Sequence, residues 1–331
     1  MKQKILLYFS AVILIMIIGY LGSVSNIFAE NTTQQDGTES KPYIINSVDA
    51  LVDFANSVNS GNSYKGQFVL QTCDIDLGGI EWIPIGLFDS ENFFLGTYDG
   101  NGHVIKNLNV NIGGNNSFFG KLGGTVMNLG IDSGNINGAC VGGITSHSSN
   151  VNASIINCYN KATVQGARAG GIADNFNGSI ANCWTDCALF ADSKDSIGGI
   201  ISYDASAVVN CVSIESSGRS SVKPQGVECV DKQTVDCFEI VIELNKNLYY
   251  SANAMGIDYR DLNFWKVSVN GKSIIFSEEK AKFKWEYKDG FMKAYLGELF
   301  PYLLIIASLG MIIIVWKKAI SISLLADRNI Y

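Results

Sequence analysis

Residues 153–184 read ASIINCYNKATVQGARAGGIADNFNGSIANCW, and within them one pattern runs through and begins again. Ile155-Ile-Asn-Cys158 returns 25 residues later as Ile180-Ala-Asn-Cys183. Further out, the same pattern is Val126-Met-Asn-Leu129 and Ile105-Lys-Asn-Leu108 on one side and Val208-Val-Asn-Cys211 on the other. Its asparagines are Asn107, Asn128, Asn157, Asn182 and Asn210, separated by 21, 29, 25 and 28 residues. A second column is a glycine pair, Gly142-Gly143, Gly170-Gly171 and Gly198-Gly199, recurring every 28 residues and followed each time by Ile144, Ile172 or Ile200. Two columns kept in phase mark a repeat architecture.

Each unit has an apolar residue, asparagine two positions on, and a second apolar residue directly after. On a straight strand the two apolar residues would face opposite sides. Asparagine tolerates the left-handed backbone region, so at a corner it lets both point inward. Stacked corner amides would bond from coil to coil as a ladder, and the glycine pairs would supply the other tight bends. One coil cannot bury its own apolar face, so neighbours stacked at about 4.8 Å share a continuous core. The 34 glycines agree with short strands and frequent turns. The expectation is an all-β parallel solenoid, a β-helix, over residues 43–230.

A stack of strands needs covers at its ends. Ser47 to Asn59 predicts a helix over the first coil, with Ser47 as N-cap, one stripe formed by Val48, Leu51, Val52, Ala55 and Val58, and Gly61 as the stop. Residues 231–276 predict a cap on the last coil: a helix over 235–244, then a hairpin in which 267–269 and 273–276 flank Asn270-Gly271. Residues 277–298, charged and aromatic, read as a stalk.

The termini give an address. Lys2 and Lys4 precede an uncharged run from Ile5 to Tyr20, and small and polar residues lead to Ala29, which reads as an export leader over 1–29. Ile27 is bulky for a cleavage site, so an uncleaved anchor helix is the alternative. Residues 30–42 read as a linker. Leu299 to Trp316 is a second apolar run, interrupted at Pro301, with Tyr295, Tyr302 and Trp316 suited to the two interfaces and Lys317 and Lys318 after it. A membrane helix needs about 20 apolar residues, and basic residues mark the inner side. This predicts a single-pass anchor at the cell membrane with an extracellular ectodomain and a short cytoplasmic tail, 317–331. Residues 30–298 hold 19 Lys and Arg against 30 Asp and Glu, a net charge of −11. That balance argues against nucleic-acid and anionic-lipid surfaces.

The residues also carry a resemblance. Tyr43-Ile-Ile-Asn-Ser-Val-Asp-Ala-Leu51, Asp74-Ile-Asp-Leu77, Trp82-Ile-Pro-Ile-Gly86 and Gly96-Thr-Tyr-Asp-Gly-Asn-Gly-His-Val-Ile-Lys-Asn-Leu108 resemble bacterial GLUG-motif surface proteins, over roughly residues 43–276. The resemblance implies a pectate-lyase-like, right-handed β-helix. This chain departs from the pattern after each glycine pair, where Ile144-Thr145, Ile172-Ala173 and Ile200-Ile201 lack the closing glycine. The family carries no shared chemistry to transfer.

Chemistry is sparsely signalled. Cys158, Cys183 and Cys211 share the slot of Leu108 and Leu129, which makes them core thiols; Cys183 with Cys187 and Cys229 with Cys237 are candidate disulfides. No Cys-x-x-Cys occurs, and His103 and His147 are not at zinc-ligand spacing. A lyase or hydrolase would need carboxylates gathered in one groove. Asp74, Asp76, Asp99, Asp132, Asp174, Asp186, Asp192 and Asp195 are available. Asp74 and Asp76 share a strand face and would permit calcium, though a turn-fixing role is the simpler reading. Arg168 with Asp174 reads as a solvated ion pair, and His103 as a turn residue before a strand rather than a general base. Phe93, Phe94, Tyr98, Phe118 and Phe119 form either a sugar-stacking platform or part of the core. No catalytic, cofactor or metal residue is assigned. The reading is a surface binding or adhesion module whose partner is a glycan or another surface protein, with a carbohydrate-active enzyme or a structural spacer as alternatives.

Overall fold

The computed structural model describes residues 35–215 and 225–281, with the backbone alone of 204–206 and of two short strands, Lys284–Lys288 and Phe291–Tyr295. The expected leader, membrane run and tail lie outside the described residues. Among the described residues no helix is long and apolar enough to cross a membrane.

The chain winds as a parallel β-solenoid. One coil begins with Thr125–Met127 and turns at Asn128. It continues through Gly130–Ile131, Gly134–Asn137 and Cys140–Gly142, turns at the glycine pair, and runs along Thr145–Ser148. Ser154–Ile156 then lies in register on Thr125–Met127, so Val126 stacks under Ile155. Tyr98 precedes this column, and Ile180 and Val208 continue it. A seven-stranded sheet runs from Ile75–Asp76 to Val227–Asp231 along one flank, all of it parallel. In the later coils the bend between the counterparts of Thr145–Ser148 and Ser154–Ile156 opens out, so Ala173–Ala181 and Ile201–Val209 are nine-residue strands that bend through register shifts and join two faces in one sheet.

The corners show what the repeats are for. Asn128, Asn157, Asn182 and Asn210 have φ of 53°, 56°, 53° and 50°, the left-handed region. Their amides bond in series: Asn157 donates to Asn128 and Asn182 to Asn157, each at 2.8 Å, and Asn210 donates to Asn182 at 2.5 Å. Asn107 does not belong to this column. It too is left-handed, at 54°, but it turns a different corner, where it donates to Asp76 Oδ1 at 2.7 Å. Register explains the correction: Asp99 pairs with Met127, so Gly100 occupies the place before Asn128, and Leu108 pairs with Gly134 rather than preceding Leu129 in the stack.

At the opposite corner the glycines have ordinary negative φ and are required by space. A Cβ on Gly170 would lie 1.7 Å from the Ala173 carbonyl oxygen, and one on Gly171 2.0 Å from that of Gly199. Inside, Leu129, Cys158, Cys183 and Cys211 are buried with Ile144, Ile172 and Ile200. Each cysteine donates its S–H to the carbonyl two residues before it, at 3.3 Å for Cys158, 3.2 Å for Cys183 and 3.4 Å for Cys211. Burial pushes the Cys183 and Cys211 thiols well up, which makes them inert apolar filling. Cys187 and Cys237 are thiols as well, so neither candidate disulfide is formed. Each fully buried aliphatic side chain contributes about 1.5–3 kcal/mol.

A helix, Val48–Asn59, follows the first strand; Ser47 Oγ accepts from the Ala50 N–H at 3.1 Å, and Leu51, Phe54, Ala55 and Val58 are buried in the core. Phe54 meets Tyr64 and Phe94 edge-on, at centroid distances of 5.1 and 5.4 Å.

The C-terminal module differs from the expected cap in extent and in place. Its helix is Cys237–Ala254, N-capped by Asp236, and its hairpin pairs Asn263–Val267 with Ile274–Lys280 across Gly271. Instead of sitting on the last coil, the module lies along the flank, over the asparagine corners. Trp265 and Phe276 pack on the stacked pair Tyr159 and Trp184, while Leu248, Ala252 and Leu262 pack on Met127, Ile156 and Ala181. The reason is that successive coils present apolar side chains outward on both sides of the ladder, and these need cover. The module also bonds to the ladder: Asn128 donates to the Asp261 carbonyl and Asn157 to that of Asn263, each at 2.8 Å.

Asn182 has competing partners. In the ladder orientation its amide joins Asn157 and Asn210; turned over, it would donate to the Leu244 carbonyl at 2.9 Å and accept from the Trp265 indole N–H at 3.0 Å. Asn157 is fixed by Asn128 and Asn263, so turning Asn182 alone would set oxygen against oxygen. No single orientation satisfies all four neighbours.

Candidate functional site

Two surfaces of the solenoid carry ordered polar side chains. The first is the seven-stranded flank. Asp76 pairs in register with Lys106, and Asp132, Lys161 and Asp186 follow the paired residues Ile131, Asn160 and Thr185 of the next coils. Acid and base therefore alternate from coil to coil. Lys106 is 2.9 Å from Asp74, Lys161 is 2.5 Å from Asp132, and Lys232 pairs with Asp186. Burial pulls the Asp74 carboxyl up, but Lys106, the Val104 N–H and His103 outweigh it and hold it below the usual carboxylate range. Asp74 and Asp76 do not act together: Asp74 takes Lys106 and His103, while Asp76 accepts from Asn107 and the Gly78 N–H. His103 meets Asp74 at 3.4 Å. Among the described residues no three His, Cys, Asp or Glu side chains gather in a way that would hold a metal ion. These charges neutralise one another within the protein.

The second surface follows the glycine corners. Lys121, His147 and Asn175 stand opposite one another in register on adjacent coils, about 4.8 Å apart. Aromatic rings border the row. The Lys121 ammonium lies 4.9 Å from the centre of the Phe93 ring, the Phe88 ring meets His147 edge-on at 5.1 Å, and the Arg168 guanidinium covers the Tyr203 ring at 4.7 Å. Tyr203 is 62% exposed and Phe88 36%. Lys121 donates to the Ser90 carbonyl at 3.4 Å.

Behind the row, Asp174 is only 1% exposed and holds a two-pronged pair with Arg168, at 2.8 and 2.7 Å, and the hydroxyl of Ser202 at 2.7 Å. The pair is thus not solvated on its acidic side; Arg168 folds down over the carboxylate and is held there as a fixed cation beside Tyr203. Burial holds the His147 imidazole below its ordinary value; Asp174 opposes this, and Lys121 and Arg168 add to it. A neutral imidazole both donates and accepts hydrogen bonds, which suits hydroxyl groups. Phe94, Tyr98, Phe118 and Phe119 are fully buried and belong to the core. Phe88, Ser202 and Tyr203 were not singled out from the sequence. The glycine column holds the missing signal, since Ser146, Asp174 and Ser202 each stand four residues after the first glycine of a pair.

No protein-family profile matches the chain. Over 135 residues it is 33% identical to halomucin of Haloquadratum walsbyi, a match that covers 35% of this chain and 1% of halomucin. The crystal structure of a candidate immunoglobulin A1 protease from Bacteroides ovatus superposes with a TM-score of 0.50 at 21% identity, covering 75% of this chain and 96% of that one. At that identity the likeness is one of fold: both chains are β-solenoids.

Proposed function

We propose that this chain is an exported, membrane-held surface protein whose solenoid binds an extended partner, a glycan, along the row beside the glycine corners. The observation that carries the reading is the placement of Lys121, His147 and Asn175 at one strand spacing, bordered by Phe88, Phe93 and Tyr203. Sugar rings present apolar faces that stack on aromatic side chains and edges of hydroxyls that need hydrogen-bond partners. A row with both, repeated from coil to coil, suits a linear polymer. The leader and the apolar run 299–316 support the surface location. The reading includes the right-handed coil and GLUG-type kinship drawn from the resemblance, and a covering role for the helix Val48–Asn59 on the first coil.

The test is retention of the full chain, in detergent, on a panel of immobilised polysaccharides, with Tyr203→Ala and Phe88→Ala beside the parent. Retention by the parent that falls several-fold in each variant supports the reading. Retention by none of the panel sinks it, and retention unaffected by either variant moves the site elsewhere. Release of new chain ends in the same tubes would replace it with the enzyme reading.

A further inference from the structure

Lys280, the last residue of the hairpin strand, returns to the strand Thr97–Asp99 from 181 positions away. Its Nζ lies 3.2 Å from Asp99 Oδ2 and donates to the Asp261 carbonyl at 2.8 Å. The other oxygen of Asp99 is held differently. Oδ1 accepts from the Asn128 amide, the first rung of the ladder, and from the Asn101 N–H, both at 2.7 Å. Asp99, Lys280 and Asp261 line one cleft, together with the apolar side chains of Phe68, Leu70 and Met127. Burial holds the Asp261 carboxyl toward its protonated form; Asp258, Glu39 and Asp99 add to this and Lys280 opposes it.

We propose that Lys280 and Asp99 react with each other to form an amide cross-link, with Asp261 as the acid that passes protons. Lys280 Nζ lies against Asp99 Oδ2, two N–H donors hold Asp99 Oδ1, and Asp261 lines the same cleft. In the proposed reaction a proton first passes from Lys280 Nζ to Asp99 Oδ2, which turns the ion pair into an amine and a carboxylic acid. Nζ attacks Cγ, and the carbonyl electron pair moves onto Oδ1, where two fixed N–H donors already point. Asp261 protonates the departing Oδ2 hydroxyl, which leaves as water, and the Asp261 carboxylate takes the extra proton from nitrogen and is restored. One ammonium and one carboxylate become one amide and one water. No oxidant or cofactor is required. Proximity supplies the drive that dilute reactants lack, and the bond would fasten the C-terminal module to the early coils.

Mass spectrometry of the full chain tests this. The expected result is a tryptic species joining Gly66–Lys106 to Ser273–Lys282, lighter than the sum of the two peptides by one water and uncut after Lys280. Lys280→Arg, which keeps the charge and the fold, should yield the separate peptides. Asp261→Asn should lower the cross-linked fraction measured at a fixed time after synthesis. Complete cleavage after Lys280 in the folded parent, even after prolonged incubation, overturns the proposal, as does a water loss mapped elsewhere. A cross-link that forms as fast in Asp261→Asn overturns the role of the acid.

Discussion

Each coil turns at two kinds of corner, and the two are built on opposite logic. At the asparagine corner a side chain is required: a left-handed residue spends its amide on the coils either side. At the glycine corner a side chain is forbidden, because the carbonyl of the same or the next coil occupies the space where Cβ would stand. Both features repeat at nearly the same period, yet one is a bond between coils and the other a void that lets backbones meet. A conserved-looking repeat residue can therefore be there for what it makes or for what it lacks, and substitution separates the two cases.

The largest effect is expected at the void. Gly170→Ala must move backbone, since no rotamer relieves a 1.7 Å contact, and should cost about 4 kcal/mol or prevent folding. Urea unfolding followed by circular dichroism would register it; a loss under 1 kcal/mol would break the comparison. Asn157→Ala should cost about 3 kcal/mol, part from the left-handed backbone and part from the orphaned neighbours. Asn157→Gly removes the backbone penalty and should recover roughly a third of that loss, which isolates the worth of the rungs. Asn107→Ala, off the ladder, should cost only about 1–2 kcal/mol; parity with Asn157→Ala would mean that the ladder adds nothing.

The smallest effect is in pH. The rungs are neutral and do not titrate, whereas the neighbouring charged flank does. Asp74 is held below its ordinary value of 3.8, so its stabilisation is full above that value and is lost as pH falls through the lower folded-state value. The urea midpoint of Asp74→Asn should therefore decline less than the parent's over that acid range. An identical decline would show that the flank pairs contribute no pH dependence.

Much of this was legible in the sequence, because the periodic residues stand where few other residue types fit, the asparagines for their left-handed backbone and the glycines for want of space. Glycine columns and left-handed asparagines announce a solenoid whatever surrounds them. Asn107 misled because Ile105-Lys-Asn-Leu108 has the same local pattern as the true rungs, and nothing local distinguishes two left-handed corners of one coil. The flank position of the C-terminal module was hidden for a related reason. Met127, Ile156 and Ala181 sit between an inward residue and a rung, and only register reveals that they form one outward apolar column. Phe88 stayed invisible because an exposed aromatic residue in a turn has no period to betray it, and Tyr203 because its strand, Ile201–Val209, has a register shift beside it that breaks the period.

The module's course along the flank has a consequence for orientation. Its helix bonds to the late coils through Asn247 and Asn210, and its hairpin ends beside Glu39 and Pro42 at the early ones. The hairpin strand Ile274–Lys280 and the first residues of the solenoid thus meet at the same end of the stack. That end serves as the foot of the stack, and sequence position along the coils becomes height above it. Along the polar row Lys121 stands lowest, His147 higher, and Tyr203 on the last storey, so position in the row is fixed by coil number alone.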